Sequence, residues 1–541
     1  MSLTIFFLLL FSFPSFHALS NSTFSPQDHQ TTIRDMIQQV CVDMADPETC
    51  FSNFRAEYEL MDRHSPAAVL GAAIKASMNE AQKAMEVVNK FTVLSMNPRE
   101  QMAVEDCKEL LDFSVSELQW SLAQMDKTRS SKVKDVHSES NLHAWLSAAL
   151  SNQDTCIEGF EGTNGRILNY IKGSINQVTQ LIYNVLTMYH KMHSLPLKPP
   201  FYDPQVTGSL DFPTWMADVD PDGDFLAAGP QGIKVNAIVA QDGSGQFRSI
   251  MEAVNEAPDY SWRRYVIYVK KGIYKENVEV KKKKTNIMFV GDGIGVTVVT
   301  GNRNFGQGWT TFRTPTVAVT GRGFIAKYMT FRNTAGPENH QAVALRVDSD
   351  RSAFYECSIE GYQDTLYSHS LRQFYRNCDI YGTIDFIFGN GQAVFQNCNI
   401  YTRQPLPLQK VTITAQGRKS PTQSTGFSIQ DCRVLATRPT YLGRPWKEYS
   451  RTVFMKTYMT SMVRPEGWLE WAGNFALSTL YYGEYKSEGP GGSPTRRVKW
   501  PGFHIINDAS TVFYFSVDYF IDGLRWLPRT GISYTPYQQI L

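Results

Sequence analysis

Beyond its first twenty residues the chain has no run near the roughly 18–20 apolar residues that a membrane span needs, so no span is expected. It also lacks a CxxC pair, and none of its eight cysteines has a His-rich partner segment. Zinc is therefore not expected, and neither is any other metal or cofactor. Charge of one sign is missing too, because the net charge of the 541 residues is only +1. That near-zero total hides an asymmetry. Residues 1–232 hold 16 Lys+Arg against 28 Asp+Glu, a balance of −12, and residues 233–541 hold 37 against 24, a balance of +13. Two halves of opposite sign attract each other. The basic half alone suits a polyanion, either nucleic acid or an acidic polysaccharide.

Export decides between those two. The apolar run Ile5 to Phe13, followed by small residues near Ala18 and Ser20, has the length and place of a secretory h-region. Residues 1–20 are thus expected to be a signal peptide. Asn21-Ser22-Thr23, the one N-glycosylation sequon, makes Asn21 the candidate glycan site. The cysteines divide evenly, with Cys41, Cys50, Cys107 and Cys156 in front and Cys357, Cys378, Cys398 and Cys432 behind. Even numbers suit disulfides formed in an oxidising compartment. A secreted protein meets polysaccharide rather than nucleic acid, so no nucleic-acid partner is expected.

Composition changes near residue 195. Before it, Leu70, Ile74, Met78, Ala81, Met85 and Val88 recur at helical spacing, and Gly and Pro are few. This reads as an all-α four-helix bundle over 28–190. A Pro-, Asp- and Gly-rich linker follows over 191–232, and no Lys or Arg occurs from Phe201 to Gly232. Residues 233–541 are dominated by β-formers and Gly, and they repeat. Ala353-Phe354-Tyr355-Glu356-Cys357 is echoed by Gln373-Phe374-Tyr375-Arg376-Asn377-Cys378 and by Ala393-Val394-Phe395-Gln396-Asn397-Cys398. A period near 20 in short β-rich segments marks a solenoid, here an all-β right-handed parallel β-helix with one repeat per coil. The longer interval before Cys432 predicts a loop protruding between Tyr401 and Gln423.

On such a scaffold, spacing becomes position. Gln341, Gln363 and Asp385 are each 22 residues apart, and Asp364 precedes Asp385 by 21, so all four fall on one face. Two carboxylates on adjacent coils cannot both ionise cheaply, and one pKa rises. The result is a protonated acid beside an ionised nucleophile or base, with two amides as neutral donors for an oxyanion. The same spacing also fits a polar ladder that merely caps the coils.

Five motifs occur in order: Gly272-Ile273-Tyr274-Lys275-Glu276, Gln341-Ala342-Val343-Ala344-Leu345, Gly361-Tyr362-Gln363-Asp364-Thr365-Leu366, Asp385-Phe386-Ile387-Phe388-Gly389 and Leu442-Gly443-Arg444-Pro445-Trp446. With them the chain closely resembles the plant pectin methylesterases that carry an N-terminal inhibitor-like domain. The front half resembles the inhibitors through Asp46-Pro47-Glu48-Thr49-Cys50, Glu105-Asp106-Cys107 and the stretch from Trp145 to Asp154-Thr155-Cys156. The resemblance implies a metal-independent hydrolase of galacturonate C6 methyl esters in homogalacturonan, acting in the plant cell wall. It assigns Asp385 as nucleophile, Asp364 as proton donor and then base, and Gln363 as oxyanion stabiliser. Gln341, Thr311, Arg444 and Trp446 follow as substrate-binding residues, Arg444 also holding Asp385 and Trp446 offering a face to the sugar ring. It implies methyl-esterified pectin, the chain's own front domain and separate inhibitor proteins as partners.

For the cysteines, the resemblance implies Cys41–Cys50, Cys107–Cys156 and Cys378–Cys398. The repeat itself leaves Cys357–Cys378 with Cys398–Cys432 open, since all four stack. Lys281 to Lys284 reads as a solvated loop, and Glu276 as a structural carboxylate. A polysaccharide lyase would need a calcium-binding acidic cluster, and a polygalacturonase its own Asp-Asp and His motifs; neither is found. A non-catalytic binder is disfavoured by the intact Gln-Gln-Asp-Asp-Arg-Trp set. Two departures stand out: the basic processing signal of many relatives is absent between the domains, and the loop before Tyr441 is short.

Overall fold

The computed structural model describes residues 66–92, 97–130, 136–193, 227–228 and 232–537, with a few positions between 38 and 52. The signal segment, Asn21, Cys50 and most of the 191–232 linker lie outside the described residues.

Four long helices come first: α1 (Pro66–Asn89), α2 (Pro98–Ser130), α3 (Val136–Glu158) and α4 (Arg166–His193). Pro66 and Pro98 open α1 and α2, where a missing N–H costs nothing. Helices α1 and α3 each pack on both α2 and α4, closing a four-helix bundle. Along α4, Ile171, Ile175, Val178, Ile182 and Val185 are buried in alternating steps of four and three, which is one helical face. A polar cluster sits within the apolar core between α2 and α3: Asn152 donates to Ser114 Oγ at 3.0 Å and to Glu117 Oε2 at 2.9 Å. The Cys107–Cys156 disulfide ties the same two helices. Cys41 is also disulfide-bonded.

From residue 237 the chain winds into a parallel β-helix with sheets of eleven, eight and seven strands. The repeat noted in the sequence is the coil. In the first sheet Phe354 pairs in register with Tyr375, and Tyr375 with Phe395. Their rings stack at 4.9 and 4.7 Å inside the solenoid. Four successive coils leave the first sheet through a left-handed residue, Glu356, Asn377, Asn397 and Asp431 (φ 49 to 55°). Asn and Asp bear that conformation more readily than most residues. The 401–423 interval is not the single protruding loop the cysteine spacing predicts. Val411–Gln416 within it is a strand of the third sheet, so the extra residues fall into two loops flanking a regular coil.

The next residue after each of these four corners is a cysteine, and here the expected Cys378–Cys398 bridge is corrected. Cys357, Cys378, Cys398 and Cys432 are all free and buried. Each thiol lies near a carbonyl of the preceding coil and one of its own, Cys378 beside Phe354 O at 3.5 Å and Arg376 O at 3.4 Å, Cys398 beside Tyr375 O at 3.5 Å and Gln396 O at 3.6 Å. The rival pairing is absent for the same reason.

A short helix, α5 (Ile250–Glu256), covers the first coils. Glu276 accepts from Ile250 and Met251 N–H at 3.0 and 3.1 Å, the structural carboxylate expected. The Lys281–Lys284 segment is not simply solvated. Lys284 is buried and donates to Asn255 O at 2.7 Å, and Lys282 reaches Asp112 of α2. At the far end Val512, Val517, Phe520 and Trp526 pack on the outer face of the first sheet. One apolar cluster also crosses between the units, joining bundle residues to Phe312, Val343, Tyr367, Phe388 and Ala415 of the solenoid.

Candidate active site

The third sheet carries the candidate residues. Asp364 and Asp385 occupy the same corner of successive coils, just before the strands Leu366–Ser368 and Ile387–Gly389. Both are left-handed (φ 62 and 50°), a conformation that aspartate tolerates. Asp364 N donates to Ile384 O at 3.0 Å and Ala342 N to Gln363 O at 3.2 Å. The coils bearing Gln341, Gln363 with Asp364, and Asp385 are therefore consecutive, as the spacing of 21 and 22 requires. The glycine closing the Asp385 motif is forced: Gly389 has φ +121°, and a Cβ there would lie 2.1 Å from Ser368 O.

Environment separates the two carboxylates. Asp385 accepts from Arg444, Nε to Oδ1 at 2.9 Å and Nη2 to Oδ2 at 2.6 Å. The bidentate, charge-assisted pair fixes the carboxylate in one orientation. Asp364 is buried, and burial, then the neighbouring Asp385 charge, push its carboxyl well above the usual range, against the pull of Arg444. A carboxylate paired with arginine and a carboxyl raised by burial thus sit side by side, the asymmetry that acid–base work by a carboxylate pair would need.

Beside the carboxylates lies an aromatic floor. Tyr367 and Phe388 are in register on adjacent strands, their rings stacked at 4.1 Å. Trp446 leans on both, with centroids at 6.5 and 5.9 Å. Gly417 gives it room, since a Cβ there would sit 3.0 Å from the indole. Arg444 lies 4.4 Å over the Trp471 ring. Thr311 opens the turn Thr311–Arg313, half-buried on the coil before Gln341. Among the described residues no group of three or more His, Cys, Asp and Glu is placed to hold a metal.

Four neighbours escaped sequence reasoning: Tyr367, Phe388, Trp471 and Thr412. The first two carried a signal, because they follow Asp364 and Asp385 by three residues each and repeat the same 21-residue step. Thr412 and Trp471 lie beyond the irregular loops, where the step is lost.

The bundle lies on this floor. Thr155 Oγ1 meets His369 Nε2 at 2.9 Å, and Asn390 donates to Ser151 Oγ at 2.7 Å. Lys419 pairs with Asp154 at 2.9 Å and Lys447 with Glu158 at 2.6 Å. Between these α3 residues and Tyr367, His369 and Trp446 there remains a cavity of about 10 Å³, far too small for a sugar. Further along, Trp145 donates to Asp350 at 2.9 Å. On α2, Asp106 and Glu109 hold Arg313, and Asp112 holds Lys282.

Residues 236–524 match the pectinesterase family model, and residues 35–188 match that of the plant invertase/pectin methylesterase inhibitors. The putative pectinesterase/pectinesterase inhibitor 22 of Arabidopsis thaliana is 56% identical over 538 residues, covering 98% of each chain. Pectinesterase/pectinesterase inhibitor PPE8B of Prunus persica is 49% identical over 479 residues, 87% of this chain and 89% of its own. Among solved structures, the pectin methylesterase from carrot is 51% identical with a TM-score of 0.56, covering 56% of this chain and 98% of that one. A two-carboxylate groove on a β-helix, closed by an inhibitor-like bundle in the same polypeptide, agrees with these matches along its whole length, and the chain belongs to the pectinesterase family, in the group with an N-terminal inhibitor domain.

Proposed function

We propose that the solenoid unit, residues 233–541, hydrolyses the C6 methyl esters of homogalacturonan to carboxylate and methanol, and that the unit over 28–190 restrains it. The observation that carries this reading is the pair Asp364 and Asp385, one pushed toward its protonated form and the other held by Arg444.

In the first half-reaction a lone pair on the Asp385 carboxylate forms a bond to the ester carbon, and the carbonyl π pair moves onto its oxygen. Gln363, helped by Gln341, donates its amide N–H to that oxyanion. The oxyanion collapses, the bond to methoxide breaks, and methoxide takes the Asp364 proton and leaves as methanol. An anhydride between Asp385 and the galacturonate remains. In the second half, ionised Asp364 takes a proton from water, and the resulting hydroxide adds to the acyl carbon. Collapse then releases the Asp385 carboxylate and the uronic acid, which ionises to uronate by giving its proton to bulk water, while Asp364 keeps the water proton for the next turnover. Trp446 and Thr311 hold the polymer beside the carboxylates.

The cell wall is the place of action we infer, on the signal-like segment over 1–20. Separate inhibitor proteins are further partners, since they would use the floor the bundle occupies; nucleic acid is not one. Methanol release from methyl-esterified pectin at constant polymer length tests the reading. Shortened polymer without methanol would overturn it in favour of a depolymerase.

A further inference from the structure

Asp385 is held from two sides. Besides Arg444, which arrives from two coils further along, it meets Thr412 on the strand Val411–Gln416 of the next coil. Strand register pairs Ile387 with Thr414, which sets Thr412 directly against Asp385. The hydroxyl accepts from Asp385 N–H at 2.9 Å and donates to Asp385 Oδ1 at 2.7 Å. It is fully buried, so no water competes for it. Because the amide can only donate, the hydroxyl proton is committed to the carboxylate.

The two carboxylate oxygens are left unequal. Oδ1 takes two short bonds, from Thr412 at 2.7 Å and Arg444 Nε at 2.9 Å. Oδ2 takes one short bond, from Arg444 Nη2 at 2.6 Å, and a long shared contact from Nε at 3.2 Å. We propose that Thr412 is a positioning residue for the hydrolysis: it engages Oδ1, fixes the carboxylate plane together with the left-handed Asp385 backbone, and leaves Oδ2 as the oxygen that attacks the ester carbon. The proposal rests on Asp385 being the nucleophile. Thr412 is fully buried and acts only through Asp385.

Valine and serine divide its two possible roles. Thr412→Val keeps the branched shape and removes the hydroxyl, whereas Thr412→Ser keeps the hydroxyl and removes the methyl. In the full-length chain, assayed at high salt beside the wild type, Thr412→Val is expected to lower kcat roughly 10- to 100-fold, the scale of a misplaced reacting group, with KM within about twofold. Thr412→Ser is expected to keep kcat within about threefold. Equal losses in both variants, or a Thr412→Val enzyme as fast as wild type, would overturn the assignment. Should the valine variant fail to fold, the ratio of Thr412→Ser to Thr412→Ala makes the same distinction, and a ratio near one overturns it. Asp385→Asn, run alongside, separates the two claims. Turnover in that variant removes the nucleophile reading itself, whereas an inactive Asp385→Asn beside a fully active Thr412→Val removes only the role of Thr412.

Discussion

The solenoid and the bundle both bury carboxylates, but they commit them differently. In the solenoid Asp364 and Asp385 are a mismatched pair, one ion-paired to Arg444 and the other raised by burial and by its neighbour. In the bundle Asp106, Glu109, Asp112, Asp154 and Glu158 each reach a cation of the other unit. The first arrangement spends stability to poise a proton; the second spends charge on docking. In the proposed mechanism every group the chemistry needs comes from the solenoid, and the bundle contributes a cover.

The sharpest way to break that contrast is to neutralise carboxylates on each side. Asp385→Asn should abolish methanol release with the fold intact, because an amide cannot form the anhydride. Asp364→Asn should slow it by roughly 10²- to 10⁴-fold, the loss of general acid–base help. Full activity in either folded variant would move the chemistry elsewhere.

On the bundle side the effects should be smaller and opposite in sign. Asp106 is fully buried against Arg313, whereas half of the Asp112 side chain is exposed beside Lys282. Breaking a buried pair costs about 3–5 kcal/mol and an exposed one about 0–1 kcal/mol. Asp106→Asn should thus free much more activity than Asp112→Asn in the full-length chain, and added salt should narrow the gap. Equal effects, or a loss of activity, would contradict a docking role.

The smallest expected effect is that of pH on docking. Burial lifts Glu158 to about 7, against the pull of Lys447, although about a third of its side chain still reaches solvent. A carboxyl raised by docking favours the docked state when protonated. That contribution is complete below its ordinary value near 4.5 and is lost as pH rises through about 7. Restraint of the full chain should therefore relax modestly between about pH 4.5 and 7 and level off above it, and Glu158→Gln should flatten the dependence. Restraint that grows with pH would reverse the sign.

Much of this contrast was legible in the sequence, for physical reasons. A solenoid converts one residue period into one coil, so the steps of 21 and 22 among Gln341, Gln363, Asp364 and Asp385 placed the pair before any coordinates. Opposite charges of −12 and +13 foretold attraction between the units, and the ion pairs of α2 and α3 realise it. The rest was hidden where periodicity breaks. Thr412 lies 27 residues after Asp385, because the loop around Arg403 to Lys410 is inserted in its coil. Stacked cysteines suggested bridges, but stacking fixes only backbone neighbours; each thiol instead lies beside carbonyls of its own and the preceding coil. Nor could composition say which face of the bundle would dock.

The central claim is that the bundle covers a groove whose chemistry is complete without it. Methanol release from methyl-esterified pectin by residues 233–541, measured against the full-length chain at low salt, tests it most directly. Faster turnover by the shorter chain, with the difference shrinking as salt is added, is the expected result; equal rates at low salt, or an inactive but folded solenoid, would contradict it.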